Sequence, residues 1–279
     1  FHSTYVGHAK NHYPQKFLTY DDECGQCGPI CKGQCKLVCN TIPQEQIKYN
    51  VLRHNSNYIG TSKKMDIDIF KKTIKKEFLF AKSAVNLGEL WQRNIDLPGG
   101  GCLIPLSHLH LEDEQLVANL GAWRAAASYA YPTRFPVTNE GTKKWMKLGV
   151  LDKEDRLLFL IHDEFGRPVG HAGFANGLNE QGLLELDNIL RGESFARMGI
   201  ISEAITTLQN WGKTVLFADG FYLRVLASNT SAVNFFDKLG YVEVERDPLK
   251  MIVEEGIEKL VPSNANESSD AFIRMVPSV

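Results

Sequence analysis

The stretch Leu183–Glu203, LLELDNILRGESFARMGIISE, joins an apolar strand, a turn and a helix. Leu184, Leu186 and Ile189 are strand-like, Arg191-Gly192 breaks the run, and Met198, Ile200, Ile201, Ala204 and Ile205 restart it at helical spacing. A strand that ends in a Gly-containing turn and opens a helix presents free backbone N–H groups at the positive end of the helix dipole, which suits an anion. Within the strand Glu185 and Asp187 stand two apart, so they share one face while Leu184 and Leu186 take the other.

A second strand, Phe221–Leu226 (FYLRVL), follows, then Asn229–Phe236 (NTSAVNFF) and Lys238-Leu-Gly-Tyr241. Together the two pieces resemble the acyl-CoA-binding half of the GNAT superfamily of N-acetyltransferases. The family's second half, Asn-x-x-Ala-x-x-hydrophobic-Tyr-x-x-x-Gly-Phe, is matched by Asn229, Ala232, Phe235, Gly240 and Tyr241. Its phosphate loop, Gln/Arg-x-x-Gly-x-Gly/Ala, is met by Ser194, Arg197 and Gly199, so only the last glycine is kept.

The resemblance implies that acetyl-CoA, or another acyl-CoA, is bound with its pyrophosphate against Arg197, Met198, Gly199 and Ile200. Gly199 matters there because a side chain would hold the phosphate away. The pantetheine arm would run along Leu186–Leu190, with Ile189 in that run, and Asn229 would lie on its far side, cap the following helix, or do both. The proton acceptor would be Asp187 or Glu185, with His171 in Gly170-His-Ala-Gly-Phe174 as the other candidate. A carboxylate partly desolvated by the cofactor becomes a better base toward an ammonium group. Both acids have an alternative, satisfaction by loop amides or by Arg191. Where many family members place a tyrosine to protonate the departing thiolate this chain has Phe236, leaving water, another residue such as Tyr222, or unassisted departure.

Leu120-Gly-Ala-Trp-Arg124, Pro136-Val-Thr and Trp145 resemble a spacing found in GNAT enzymes that acetylate amino sugars on nucleotide carriers. The acceptor is therefore expected to be the primary amine of a small molecule, with Arg124, Tyr129 and Tyr131 supplying cationic and stacking groups. The same residues serve equally well to pack a helix pair.

The order of elements gives an α+β fold, a GNAT-like mixed, mostly antiparallel sheet flanked by helices, with a small Cys-rich N-terminal module. Residues 102–279 are expected to form the acetyltransferase domain. Leu103–Leu111 reads as its first strand, Asp113 caps a helix over Leu116–Trp123, Tyr129–Pro136 is an aromatic loop, and Thr138–Trp145 opens a second helix. Leu157–His162 and Val169–Phe174 read as a hairpin, and Tyr241–Glu245 and Ala271–Val276 as the last strands, joined by an insertion around Met251–Leu260. Residues 61–101 are expected to hold an amphipathic helix and a linker at Pro98-Gly-Gly-Gly101. Ile67, Phe70, Ile74, Phe78, Ala81 and Val85 form the apolar stripe, and Lys71, Lys72, Lys75, Lys76 and Lys82 a solvated face.

Residues 1–60 lack periodicity and carry five of the six cysteines, Cys24, Cys27, Cys31, Cys35 and Cys39. Cys-x2-Cys is the usual first half of a zinc site, so zinc is expected, with an iron–sulfur cluster as the competing reading. The segment also resembles the cysteine-rich tail of radical-SAM enzymes, so it is expected either to dock a partner protein or to mark the chain as the end of a longer fusion. The chain lacks an initiator Met, as expected of a processed or excised piece. Formal net charge is -2, which implies neither a nucleic-acid nor a membrane-surface partner. No apolar run reaches the roughly 18 residues of a membrane span, and the opening residues lack the order of a secretory signal, so a cytoplasmic enzyme is expected. The alternative is a scaffold of the same fold that has lost turnover.

Overall fold

Leu183–Arg191 forms a strand in the middle of a ten-stranded sheet, with Leu184, Glu185 and Leu186 buried in succession. The computed structural model describes residues 66–278. Helices α1 (Ile67–Lys82) and α2 (Leu87–Trp91) lead into β1 (Ile95–Asp96) and β2 (Cys102–Pro105). Helix α3 (Glu114–Ala126), the short strand β3 (Thr133–Arg134) and helix α4 (Asn139–Lys144) follow, α4 running on into a wider turn of π type at Trp145–Leu151. The rest is β4 (Leu157–His162), β5 (Pro168–Ala175), β6 (Leu183–Arg191), α5 (Ile200–Thr214), β7 (Gly220–Leu226), α6 (Thr230–Lys238), β8 (Tyr241–Glu254), β9 (Ile257–Pro262) and β10 (Asp270–Pro277).

The strands lie in the order β1-β2-β4-β5-β6-β7-β10-β8-β9-β3. Among the described residues only β6 and β7 pair in parallel, joined by the crossover helix α5; every other pair is antiparallel. One face is covered by α1, α5 and α6. Phe70, Ile74 and Phe78 of α1 and Ile200, Ala204, Ile205 and Leu208 of α5 bury there against Leu184, Leu186, Leu223 and Val225. The other face is covered by α3 and the α4 turn, through Leu116, Val117, Leu120, Trp123, Met146 and Val150 packed on Leu158 and Leu160.

The expected helix caps and turns are largely present. Asp113 Oδ1 accepts from the Leu116 N–H at 3.0 Å, and Thr138 Oγ1 from the Gly141 N–H at 3.0 Å. Three expectations need correction. The first strand stops at Pro105, and His108–Glu112 is a 3-10 turn. The insertion around Met251–Leu260 is the β8–β9 hairpin, and its second strand pairs with β3. Pro98–Gly101 is the turn of the β1–β2 hairpin rather than a linker: Gly100 and Gly101 sit at positive φ, and a Cβ on Gly101 would lie 2.2 Å from the His162 carbonyl. The described residues accordingly fall in one compact unit, Gly60–Val279.

Most lysines of α1 face outward, as in the pairs Lys71–Glu180 and Lys75–Glu154. Lys82 does not. It is 5% exposed and donates to the carbonyls of Val150 and Lys153, which ties the end of α1 to the turn before β4. Burial lowers its pKa to about 8.

If α1 belongs to the main core, Phe70→Ala should lower the unfolding free energy of the whole unit by about 3–5 kcal/mol. The measurement is a denaturant titration followed by tryptophan fluorescence, and an unmoved midpoint would show α1 to be peripheral.

Candidate active site

Strand β6 makes the site by leaving its neighbour. It pairs with β7 from Leu183↔Gly220 to Leu186↔Leu223, and there the ladder ends. On its other edge β6 stays paired with β5, but Gly173↔Asp187 is followed by His171↔Leu190, so three steps on β6 face two on β5. The extra residue is a bulge, and Asn188 absorbs it at φ 51°, a conformation that asparagine tolerates better than most residues. Beyond Leu186 the β6 backbone therefore faces open space instead of β7.

That space is a cleft of ≈ 490 Å³. Its walls include Asp187–Leu190 of β6, Leu223–Leu226 of β7, Asn229, Ala232 and Phe236 of α6, and Arg124, Tyr131 and Trp145 from the opposite face of the sheet. The cleft thus passes between the two strands. The Tyr131–Phe135 segment roofs one side and is anchored by β3 on β9 and by the Leu260 N–H, which donates to the Pro132 carbonyl at 2.7 Å.

The structure gives the two acids different surroundings. Glu185 is 3% exposed and fully engaged. Arg224 Nε donates to its Oε1 at 2.8 Å, and Asn176 and Tyr222 donate to its Oε2. Asp187 stays half-buried at the cleft, with Asn188 Nδ2 donating to Oδ2 at 2.7 Å and Arg156 Nη1 at 3.6 Å. Arg191 satisfies neither acid. Its guanidinium donates to the carbonyls of Glu193, Ser194 and Ala196 and holds the β6–α5 loop in shape.

His171 on β5 also lines the cleft, between the rings of Trp123 and Trp145, each centred 6.3 Å away. Its Nδ1 lies 2.5 Å from the Asn188 carbonyl, which only accepts, so Nδ1 carries the proton and Nε2 holds the lone pair. Burial, above all, brings its pKa down to about 4, so the ring is neutral at pH 7. The histidine is thus both a structural tie to the bulge and a neutral group on the wall.

The anion-site geometry expected at the start of α5 is present, outside the cleft. Gly199 is the N-cap at φ 83°, with nothing within 4 Å of where a Cβ would stand. No hydrogen bond among the described residues takes the N–H groups of Arg197, Met198 or Gly199. Met198 is 89% exposed, and Ile200 is buried beneath the first turn. Arg197 is used otherwise: its guanidinium pairs with Glu203 and reaches the Gly100 carbonyl at 3.2 Å, so it grips the β1–β2 turn. Gly192 is required at the head of the loop, because a Cβ there would be 2.1 Å from the Trp123 ring, and Trp123 Nε1 in turn donates to Glu193 at 3.0 Å.

Asn229 caps α6 through the Ala232 N–H at 3.3 Å and lines the cleft as well. Phe236 lies against the cleft without a hydroxyl, and Tyr222 is turned to Glu185 and does not line it. Of the acceptor-side residues, Arg124 and Tyr131 do line it, whereas Tyr129 is 56% exposed and stands outside. Arg156 and Arg224, absent from the sequence-based candidates, hold Asp187 and Glu185; neither carries a local motif that announces it. Cys24, Cys27, Cys31, Cys35 and Cys39 lie outside the described residues.

The profile of the acetyltransferase (GNAT) domain matches residues 104–242. This part of the chain is a GNAT acetyltransferase domain. Its activity in general terms is acetyl-CoA-dependent N-acetylation, the work of an acyltransferase. Among solved structures the domain is similar to a probable GNAT-family acetyltransferase from Chromobacterium violaceum, at 14% identity over 63% of this chain and 86% of that one, with a TM-score of 0.48. It is similar also to a GCN5-related N-acetyltransferase from Brucella melitensis (17%, 63% and 75%, TM-score 0.48). A third is spermidine N-acetyltransferase from Vibrio cholerae in complex with CoA and spermine (14%, 62% and 92%, TM-score 0.46). These likenesses are distant, and the family rests on the match to residues 104–242. No curated protein matches the chain. Among the described residues no helix is long and apolar enough to cross a membrane.

The buried imidazole gives a pH signature. His171 has a folded pKa of about 4, against 6.5 ordinarily, and His110 is likewise lowered to about 4 by burial. Between these values the unfolded chain binds protons that the folded one does not, so stability is complete above pH 6.5 and falls as the pH drops toward 4. Ring NMR should find His171 neutral and protonated on Nδ1 at pH 6; a ring titrating at its ordinary value would contradict this environment.

Proposed function

We propose that this domain transfers an acetyl group from acetyl-CoA to the primary amine of a small molecule, with the thioester seated where β6 parts from β7. The observation that supports this reading most is the coincidence of three features at one point: the end of the β6–β7 ladder, the bulge at Asn188, and the half-exposed carboxylate of Asp187. The β7-facing edge of Asn188–Leu190, including Ile189, unpaired beyond Leu186, offers hydrogen bonds to the amide-rich pantetheine arm. The free N–H groups of Arg197, Met198 and Gly199, with Ile200 buried beneath them, receive the pyrophosphate. Asn229 borders the arm from the start of α6.

Acetyl-CoA supplies an activated carbonyl. The amine nitrogen bonds to that carbon, the carbon–sulfur bond breaks, and the amine's proton passes to Asp187 directly or through a water. Asp187 fits this role better than Glu185, whose oxygens are already occupied by Arg224, Asn176 and Tyr222. His171 is neutral, keeps its Nε2 lone pair, and provides a second acceptor on the same wall. With Phe236 in the cleft, the thiolate leaves without help from that position. Arg124, Tyr131 and Trp145 form the acceptor wall, which supports an amino sugar, including one on a nucleotide carrier.

The scaffold reading draws on Phe236 and makes the opposite prediction about rate. Asp187→Asn should lower kcat by about a hundredfold or more while calorimetry finds acetyl-CoA bound nearly as well. Glu185→Gln should instead cost stability first. A wild-type chain without acetyl-CoA binding, or an Asp187→Asn variant with full rate, would overturn this assignment.

A further inference from the structure

The cleft wall contains three guanidinium groups and two carboxylates, and the ion pairs leave one cation over. Arg224 is joined to Glu185 through Nε at 2.8 Å, and Arg156 to Asp187 at 3.6 Å. Arg124 makes no ion pair among the described residues. It projects from α3 to lie over the Tyr131 ring, 3.4 Å from the centroid, and near Phe135 at 5.4 Å, and one Nη2 donates to the Thr133 carbonyl at 3.0 Å. An aromatic face and one carbonyl hold a guanidinium in place without neutralising it, and its remaining N–H groups form a planar fork suited to an oxyanion. Burying a charge without a counter-ion is costly, so such an arrangement favours a partner that brings the opposite charge.

Arg124 stands on the acceptor side. It borders Tyr131 and Phe135 of the roof segment, which β3 anchors on β9, and its field reaches His171 across the cleft. Asp187, the acid on the opposite wall, is also felt at Tyr131. An acceptor lying between them meets a cation at one end and a carboxylate at the other.

We infer that the acceptor is an amine that also carries an anionic group, a carboxylate or a phosphate, which Arg124 binds while the ammonium end faces Asp187. Polycationic amines are disfavoured by the same uncompensated guanidinium of Arg124. This rests on the acyltransferase reading above and specifies its substrate class.

The test is thiol release from acetyl-CoA with matched acceptors. α-Amino acids are compared with their neutral amides, amino-sugar phosphates with the free amino sugars, and linear polyamines serve as the cationic set. The expected result is that kcat/KM for the anion-bearing member of at least one pair exceeds that of its neutral counterpart by about ten- to a hundredfold. Whichever pair shows the gap tells carboxylate from phosphate. Arg124→Gln should collapse that ratio toward one, chiefly through KM, and Arg124→Lys should restore part of it. A melting temperature near wild type shows that each variant is folded. Equal or faster turnover of neutral amines or polyamines overturns the inference, as does acetyl-CoA binding with no anion-bearing amine turned over. A loss of kcat in Arg124→Gln that is uniform across acceptors also overturns it, since that would place the guanidinium on the reacting carbonyl. Failure of acetyl-CoA to bind defeats the underlying reading instead, so the two failures are distinct.

Discussion

Everything in the site follows from the parting of two parallel strands. β6 and β7 share only the ladder from Leu183 to Leu186, after which β6 must satisfy its backbone on one edge alone. A strand with a bare edge in the middle of a sheet is unfavourable unless something completes it. The bulge at Asn188 fixes the departure, because one extra residue on β6 against β5 rotates the following peptide groups and enlarges the local twist. His171 Nδ1–H then holds the Asn188 carbonyl from the neighbouring strand. The cleft, the position of Asp187 and the access of α6 to the interior are consequences of this one break in pairing.

The surrounding elements keep the break rigid. Trp123 of α3 presses on Gly192 and bonds Glu193, so the loop leaving β6 is pinned to the opposite face of the sheet. Arg191 gathers three carbonyls of that loop, and Arg197 with Glu203 ties the start of α5 to the β1–β2 turn. Carbonyls drawn to one side leave the N–H groups of Arg197–Gly199 unpartnered on the other, where the helix dipole favours negative charge. The Arg197 side chain therefore acts on the scaffold, and it is the free backbone N–H groups to which the proposed function assigns the pyrophosphate.

Much of this was legible in the sequence because it depends on local periodicity. The apolar run at Leu184 and Leu186 marked the strand, although Glu185 proved buried along with them, the restart at Ile200 gave α5, and Asn229 was recognisable as a cap. What depended on distant partners was not. Arg224 and Arg156 decide which acid stays available, yet they come from other strands and turns, and nothing beside Glu185 or Asp187 in the chain signals them. Pro98–Gly101 misled for a different reason: a glycine run marks positive φ and close approach as readily as it marks a linker, and only contact with His162 distinguishes the two. Tyr129 and Tyr131 look equivalent in an aromatic loop, but Tyr129 sits inside the 3-10 turn Ser128–Ala130 and is left in solvent, whereas Tyr131, the residue that ends the turn, lies under Arg124.

The most direct check on this account is amide hydrogen exchange of the full chain with and without acetyl-CoA, resolved to short peptides. Added acetyl-CoA should protect Asp187–Arg191 and Arg197–Ser202, the unpaired edge of β6 and the first turn of α5, and leave the outer strands β1 and β2 unchanged. Binding that leaves both of these segments unprotected would contradict it.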